Sequence, residues 1–122
     1  MTFREILERV VLQTPGALAG AVMAADGIPI DELEREEGSV DLASVAVEFQ
    51  RVLDQSRKIA GTLYGASGGG LEELILITSA HQLYFRQIDD EFFVTIALKT
   101  SGSLGKARYL VRSLLRELRE AL

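Results

Sequence analysis

Apolar and polar positions alternate along the chain with two periods, and the period changes several times. Phe3, Ile6, Leu7, Val10 and Val11 recur at the spacing of one helical face. Thr2 and Glu5 stand at capping-box positions before that face, and Pro15-Gly16 stops it. "ALAGAVMAA" then reads as a strand buried on both faces. Asp26-Gly27 predicts a hairpin, because both turn residues tolerate positive φ, and "IPIDEL" returns as an edge strand because Pro29 cannot donate to a ladder.

A second helical period begins after an acidic loop, with Ser39 or Asp41 placed to cap it, and runs to about Tyr64. Leu42, Val45, Ala46, Phe49, Val52, Leu53, Ile59, Ala60 and Leu63 line its stripe, and Ala43 and Val47 widen it. At 1.5 Å per residue this helix is roughly 36 Å long. That is more apolar helix than one small sheet needs to cover, so the surplus is expected to form a subunit interface. Leu42, Val45, Phe49, Val52 and Leu53 are its candidate residues. Phe49 is the anchor, because aromatic side chains concentrate interface energy.

"GASGGG" breaks the chain before three strands, "LEELILIT", "HQLYFRQI" and "EFFVTIALK", joined by turns at Ser79-Ala80 and Asp89-Asp90. Connections this short make an antiparallel meander. A last helix is expected from Ser103 to Leu122, with Leu104, Ala107, Val111, Leu114, Leu115 and Leu118 inward. The order α-β-β-α-β-β-β-α over residues 1–122 predicts one α+β domain, a five-stranded antiparallel sheet with helices on both faces. "LEELILIT" would leave an apolar edge, an aggregation hazard that pairing with a second subunit removes.

Composition narrows the function. The 122 residues carry a formal charge of −5, which argues against general nucleic-acid binding, and no cysteine, which excludes thiolate chemistry and disulfides. No apolar run is long enough to enter a bilayer as a span, and "MTFREILERV" is not a leader, so a cytoplasmic protein is expected. Charge is polarised. Seven acids and one base (Arg35) lie between Asp26 and Asp41, and five bases and two acids lie between Ser103 and the end.

Catalytic signatures fail one by one. Gly105-Lys106 imitates a phosphate-binding loop, but Thr100 stands where that loop needs glycine and Ala107 where it needs a magnesium-ligating hydroxyl. Ser103 reads better as a helix cap, with Gly102 allowing a tight turn and Gly105 letting the first helical turn approach the sheet. His81 has no metal-ligand partner at a suitable spacing. Glu72-Glu73 and Asp89-Asp90 are adjacent, so their side chains diverge on a strand. "GASGGG" follows a helix and precedes a strand, the reverse of a dinucleotide fingerprint. No catalytic residue, cofactor or metal is expected. What remains are surfaces: Asp26 and Ile28 at the hairpin, and Arg108 and Arg112, which with Arg116 recur every four residues on the outer side of the last helix.

"PGALAGAVMAADGIPI", the long second helix and "SGSLGKARYLVRSLL" together resemble the roadblock (dynein light-chain type) domain family, across essentially the whole chain. Within it the sequence looks most like the bacterial MglB and MglC gliding-motility regulators, which work with a Ras-like GTPase in cell polarity. The resemblance implies a homodimer in which the long helices pack together and the third strands join two sheets into one. MglB-type dimers activate the GTPase by remodelling its own catalytic residues. They often carry an extension after the last helix, which here ends at Leu122, so the resemblance favours the MglC-like role, an adaptor that binds a roadblock paralogue. The alternatives are direct GTPase activation and, with less in its favour, small-ligand sensing.

Overall fold

The computed structural model describes residues 1–36, 40–64 and 70–122, apart from the Tyr64 side chain. Ser39 and all of "GASGGG" except Gly70 lie outside the described residues. The order is α1 (Phe3–Gln13), β1 (Ala17–Ala24), β2 (Pro29–Glu34), α2 (Leu42–Tyr64), β3 (Glu73–Ile77), β4 (His81–Gln87), β5 (Phe92–Lys99), α3 (Leu104–Ser113) and α4 (Leu115–Glu120). The strands form one antiparallel sheet in the order β2-β1-β5-β4-β3. β2 and β3 are therefore its two edges. The predicted α+β sandwich, a five-stranded antiparallel sheet with helices on both faces, is the observed architecture.

The sheet has apolar side chains on both faces, and each face has its own cover. Ile6, Leu7, Val10 and Val11 of α1 pack with Ala107, Val111, Leu114 and Leu118 against Val22, Tyr84 and Ile96. On the other face Leu42, Ala46, Phe49 and Leu53 of α2 meet Ala21, Met23, Phe85, Phe93 and Ala97. β1 and β5 are buried nearly throughout, which explains their mostly apolar sequences, interrupted in β5 by buried Thr95.

Local signals at the helix starts are realised as read. Thr2 and Glu5 form the reciprocal capping box of α1, and Asp41 caps α2 by accepting from the Ser44 amide at 3.1 Å. Arg35, the lone base of the acidic stretch, donates to the carbonyls of Val11 at 2.5 Å and Leu12 at 3.1 Å. It thereby satisfies the C-terminal end of α1 from across the sheet edge.

Three expectations need correction. The hairpin turn is not the two-residue Asp26-Gly27 turn. Gly27 alone is left-handed (φ 87°), and its amide bonds the Ala24 carbonyl at 2.9 Å, a three-residue Ala25-Asp26-Gly27 loop. Asp26 instead accepts from the Ile28 amide at 3.1 Å. The last helix is not continuous. At Leu114, ψ moves to 7°, dividing α3 from α4. Leu114 and Leu118 are both buried on either side of the break, and Arg119 Nε of α4 donates to the Ile88 carbonyl at 3.1 Å. Gly105 does not bring α3 close to the sheet, because a Cβ there would meet nothing within 4 Å. The close approach belongs to Gly16 and Gly102, where a Cβ on Gly16 would fall 2.4 Å from Gly102 Cα.

Candidate protein-interaction surfaces

α2 carries two apolar stripes. Leu42, Phe49 and Leu53 are buried against the protomer's own sheet, and the Phe49 ring stacks on Phe85 with centroids 3.8 Å apart. These three of the five nominated interface residues are therefore core residues of one chain, and Phe49 is not an exposed anchor. Val45 is half-buried, while Val52, Ile59 and Leu63 are 46%, 56% and 70% exposed. This second stripe is rotated by roughly 75° from the first on a helix of about 100° per residue. It lies on the side facing β3. There Val45, Phe49 and Val52 line an open, mainly apolar groove of about 510 Å³ with Leu76 and Leu83, with Ser44 and Glu48 also in its wall.

β3 completes that surface. The Gln87 amide bonds the Glu72 carbonyl and the Thr78 amide bonds the His81 carbonyl, both at 2.9 Å. With the Leu74↔Phe85 and Leu76↔Leu83 register, Leu74 and Leu76 direct their main-chain groups to β4. Glu73, Ile75 and Ile77 therefore turn their N–H and C=O groups to the free edge. Ile75, Leu76 and Ile77 are all exposed, so the edge is apolar on both of its faces.

Glu73 has a further role that sequence reading missed. It is four-fifths buried on the α3 side. Its carboxylate accepts from Tyr84 Oη at 2.6 Å and from Arg108 Nη2 at 2.7 Å, with Arg86 Nη1 at 3.7 Å. Burial alone would raise the Glu73 pKa, but the hydrogen bonds from Arg108 and Tyr84 and the two arginine charges outweigh it and hold the group ionised. Burial, then the bond to Glu73, pushes the Tyr84 phenol well above its ordinary range. The partners lie 11, 13 and 35 residues from Glu73. No local spacing could announce such a cluster.

The cluster changes the reading of the basic stripe. Arg108 is turned to Glu73 rather than outward, and Arg116 pairs with Glu120 at 3.1 Å. Arg112 is exposed beside Tyr109, in a shallow groove that Gly105, Ser113 and the part-exposed Arg108 also line. At the opposite end of the sheet Asp26 and Ile28 are exposed on the hairpin, Ile28 by 62%, and Ile30 and Val47 are exposed too. The hairpin and α3 candidates thus occupy separate surfaces.

The turn before α3 is built for carbonyls. Gln82 Nε2 donates to the carbonyls of Lys99, Thr100 and Gly102 at 3.0–3.3 Å. Ser103 Oγ takes the Lys106 amide at 3.2 Å. A phosphate cradle requires converging amides instead. His81 is exposed at the start of β4, and among the described residues no three His, Asp or Glu side chains are grouped to hold a metal.

Comparison with known proteins decides the family. MglC from Myxococcus xanthus is 34% identical, with 100% of each chain covered and a TM-score of 0.68. The chain belongs to the roadblock/LC7 family. Two more distant structures share the roadblock fold. The gliding protein MglB from Thermus thermophilus has a TM-score of 0.84 at 17% identity, covering 97% of this chain and 86% of that one. A Roadblock/LC7 domain from Streptomyces avermitilis has a TM-score of 0.80 at 13% identity, covering 98% and 97%. No family model and no curated protein sequence matches the chain. Among the described residues of this roadblock chain, no helix is long and apolar enough to cross a membrane.

Proposed function

We propose that the chain is a non-catalytic homodimeric adaptor in a bacterial Ras-like small-GTPase complex that controls polarity and motility. It binds a roadblock paralogue in the manner of MglC. The observation that carries this reading is the apolar stripe of α2 lying beside an unpaired apolar β3 edge. Two copies related by a two-fold axis bury both at once. An antiparallel β3–β3 pair centred on Ile75 engages Glu73, Ile75 and Ile77 of each strand. The second stripe (Val45, Val52, Ile59 and Leu63) meets its counterpart above the join, backed by Leu42, Phe49 and Leu53. Closed symmetry also explains how the chain tolerates such an edge.

The outward contacts of the dimer are Asp26 and Ile28 on the hairpin and Arg112 on α3, with Arg108 acting from behind through Glu73. The reading of the GTPase system rests on the 34% identity to MglC and on the family resemblance. The complex needs no cofactor from this chain.

The test mixes the purified protein in turn with the organism's Ras-like GTPase bearing a GTP analogue and with its longer roadblock paralogue, followed by size-exclusion chromatography with light scattering. A complex with the paralogue alone is expected. A complex with the GTPase alone, with faster single-turnover GTP hydrolysis, would replace the adaptor by an activating protein.

A further inference from the structure

We propose that the Glu73–Arg108–Tyr84 cluster is a latch that holds β3 in the geometry its free edge needs for pairing, making Glu73 and Arg108 positioning residues for self-association. This rests on the dimer reading above for its consequence, but not for its geometry.

β3 is poorly anchored otherwise. Of its five side chains, Ile75, Leu76 and Ile77 are exposed, and Leu74 is half-buried against the α2 side. On the α3 side Glu73 is the one side chain of the strand that reaches inward, and it reaches a helix 35 residues away in sequence. Arg108 therefore ties the edge strand to α3. Tyr84 and Arg86, both on β4, hold the same carboxylate from beneath, and exposed Glu72 shares Arg86 at 3.8 Å. Both arginines approach Glu73 through a terminal nitrogen, and both Nε atoms are buried without a hydrogen-bond partner. The cluster is thus incompletely satisfied. Losing the Glu73 carboxylate removes the ion pair of Arg108 and leaves Arg86 only exposed Glu72 at 3.8 Å.

A strand held in this way frays when the latch opens. Leu74 and Leu76 amides, bonded to β4, then exchange with solvent more often, and the outward groups of Glu73, Ile75 and Ile77 lose the fixed line that pairing requires.

The experiment uses Arg108→Met, Arg108→Lys and Glu73→Gln in the full chain, with circular dichroism and thermal unfolding to establish folding. Hydrogen exchange at the Leu74 and Leu76 amides is read at concentrations below dimerisation. The dimer dissociation constant is read by sedimentation equilibrium. Arg108→Met and Glu73→Gln are expected to speed exchange at those two amides at least tenfold and to weaken the dimer at least tenfold, with β1 and β5 unaffected. Arg108→Lys is expected to recover part of both. Unchanged exchange at Leu74 and Leu76 in folded Arg108→Met would overturn the latch. A wild-type chain that stays monomeric would instead overturn the dimer reading, and the exchange measurement would still decide whether β3 is latched. If Arg108→Met fails to fold, Tyr84→Phe and Glu73→Gln carry the same readout.

Discussion

Replacing Phe49 by alanine separates the two apolar stripes of α2. The ring is 6% exposed, lies face to face with Phe85 at an interplanar angle of 10°, and shares its cluster with Leu53 and Phe93. Truncating a buried phenylalanine costs about 3–5 kcal/mol, the stacked pair supplying about 0.5–1.5 kcal/mol of it. For a domain of this size each kcal/mol lowers Tm by roughly 3–6 °C, so a fall of about 10–30 °C is expected. The assay is urea unfolding by circular dichroism at two protein concentrations about a hundredfold apart. Because Phe49 packs within one chain, the loss should be the same at the lower concentration, where no dimer remains. A loss below about 1 kcal/mol, or one that vanishes on dilution, would refute this reasoning and return Phe49 to the interface.

Other substitutions probe the remaining claims. Gly16→Ala should destabilise by at least about 2 kcal/mol in the same unfolding assay, since φ is 78° and the new Cβ would strike Gly102. Gly105→Ala should stabilise by about 0.5–1 kcal/mol, as the position is helical and open. Glu73 has a depressed folded-state pKa, so its stabilisation is present above its ordinary pKa near 4.5 and is lost as pH falls through the lower folded value. The stability advantage of wild type over Glu73→Gln should therefore shrink below about pH 4.5. A constant difference down to acid pH would show that Glu73 is not held ionised.

Much of this fold was legible because its signals are local. The Thr2–Glu5 box, the Pro15-Gly16 stop, the Pro29 edge strand and the two meander turns each depend on residues a few positions apart. The long stripe of α2 was equally visible, but periodicity reports only that a face is apolar, not what covers it. Phe49 and Val52 sit on neighbouring faces, and only the position of the sheet tells the one packed inside from the one left outside. The latch was hidden for a related reason. Glu73 looked like half of an acidic pair at a strand start, and its partners come together only when α3 crosses β4. The Arg108–Arg112–Arg116 spacing was real, yet Arg108 leans inward to a carboxylate that the helix itself does not contain. At Gly105 the sequence suggested a close approach, whereas the fold puts that approach one turn earlier, between Gly16 and Gly102.

A single cysteine offers the most direct test of the central claim, because the chain contains none of its own. If two copies pair through β3 about Ile75, each Ile75→Cys lies opposite its counterpart, within the Cα separation a disulfide spans. Mild oxidation at micromolar concentration should convert Ile75→Cys almost completely to a covalent dimer of twice the mass by denaturing electrophoresis. Leu12→Cys, also exposed but on α1, should stay monomeric. Ile75→Cys that remains monomeric on oxidation while folded would contradict pairing through this edge.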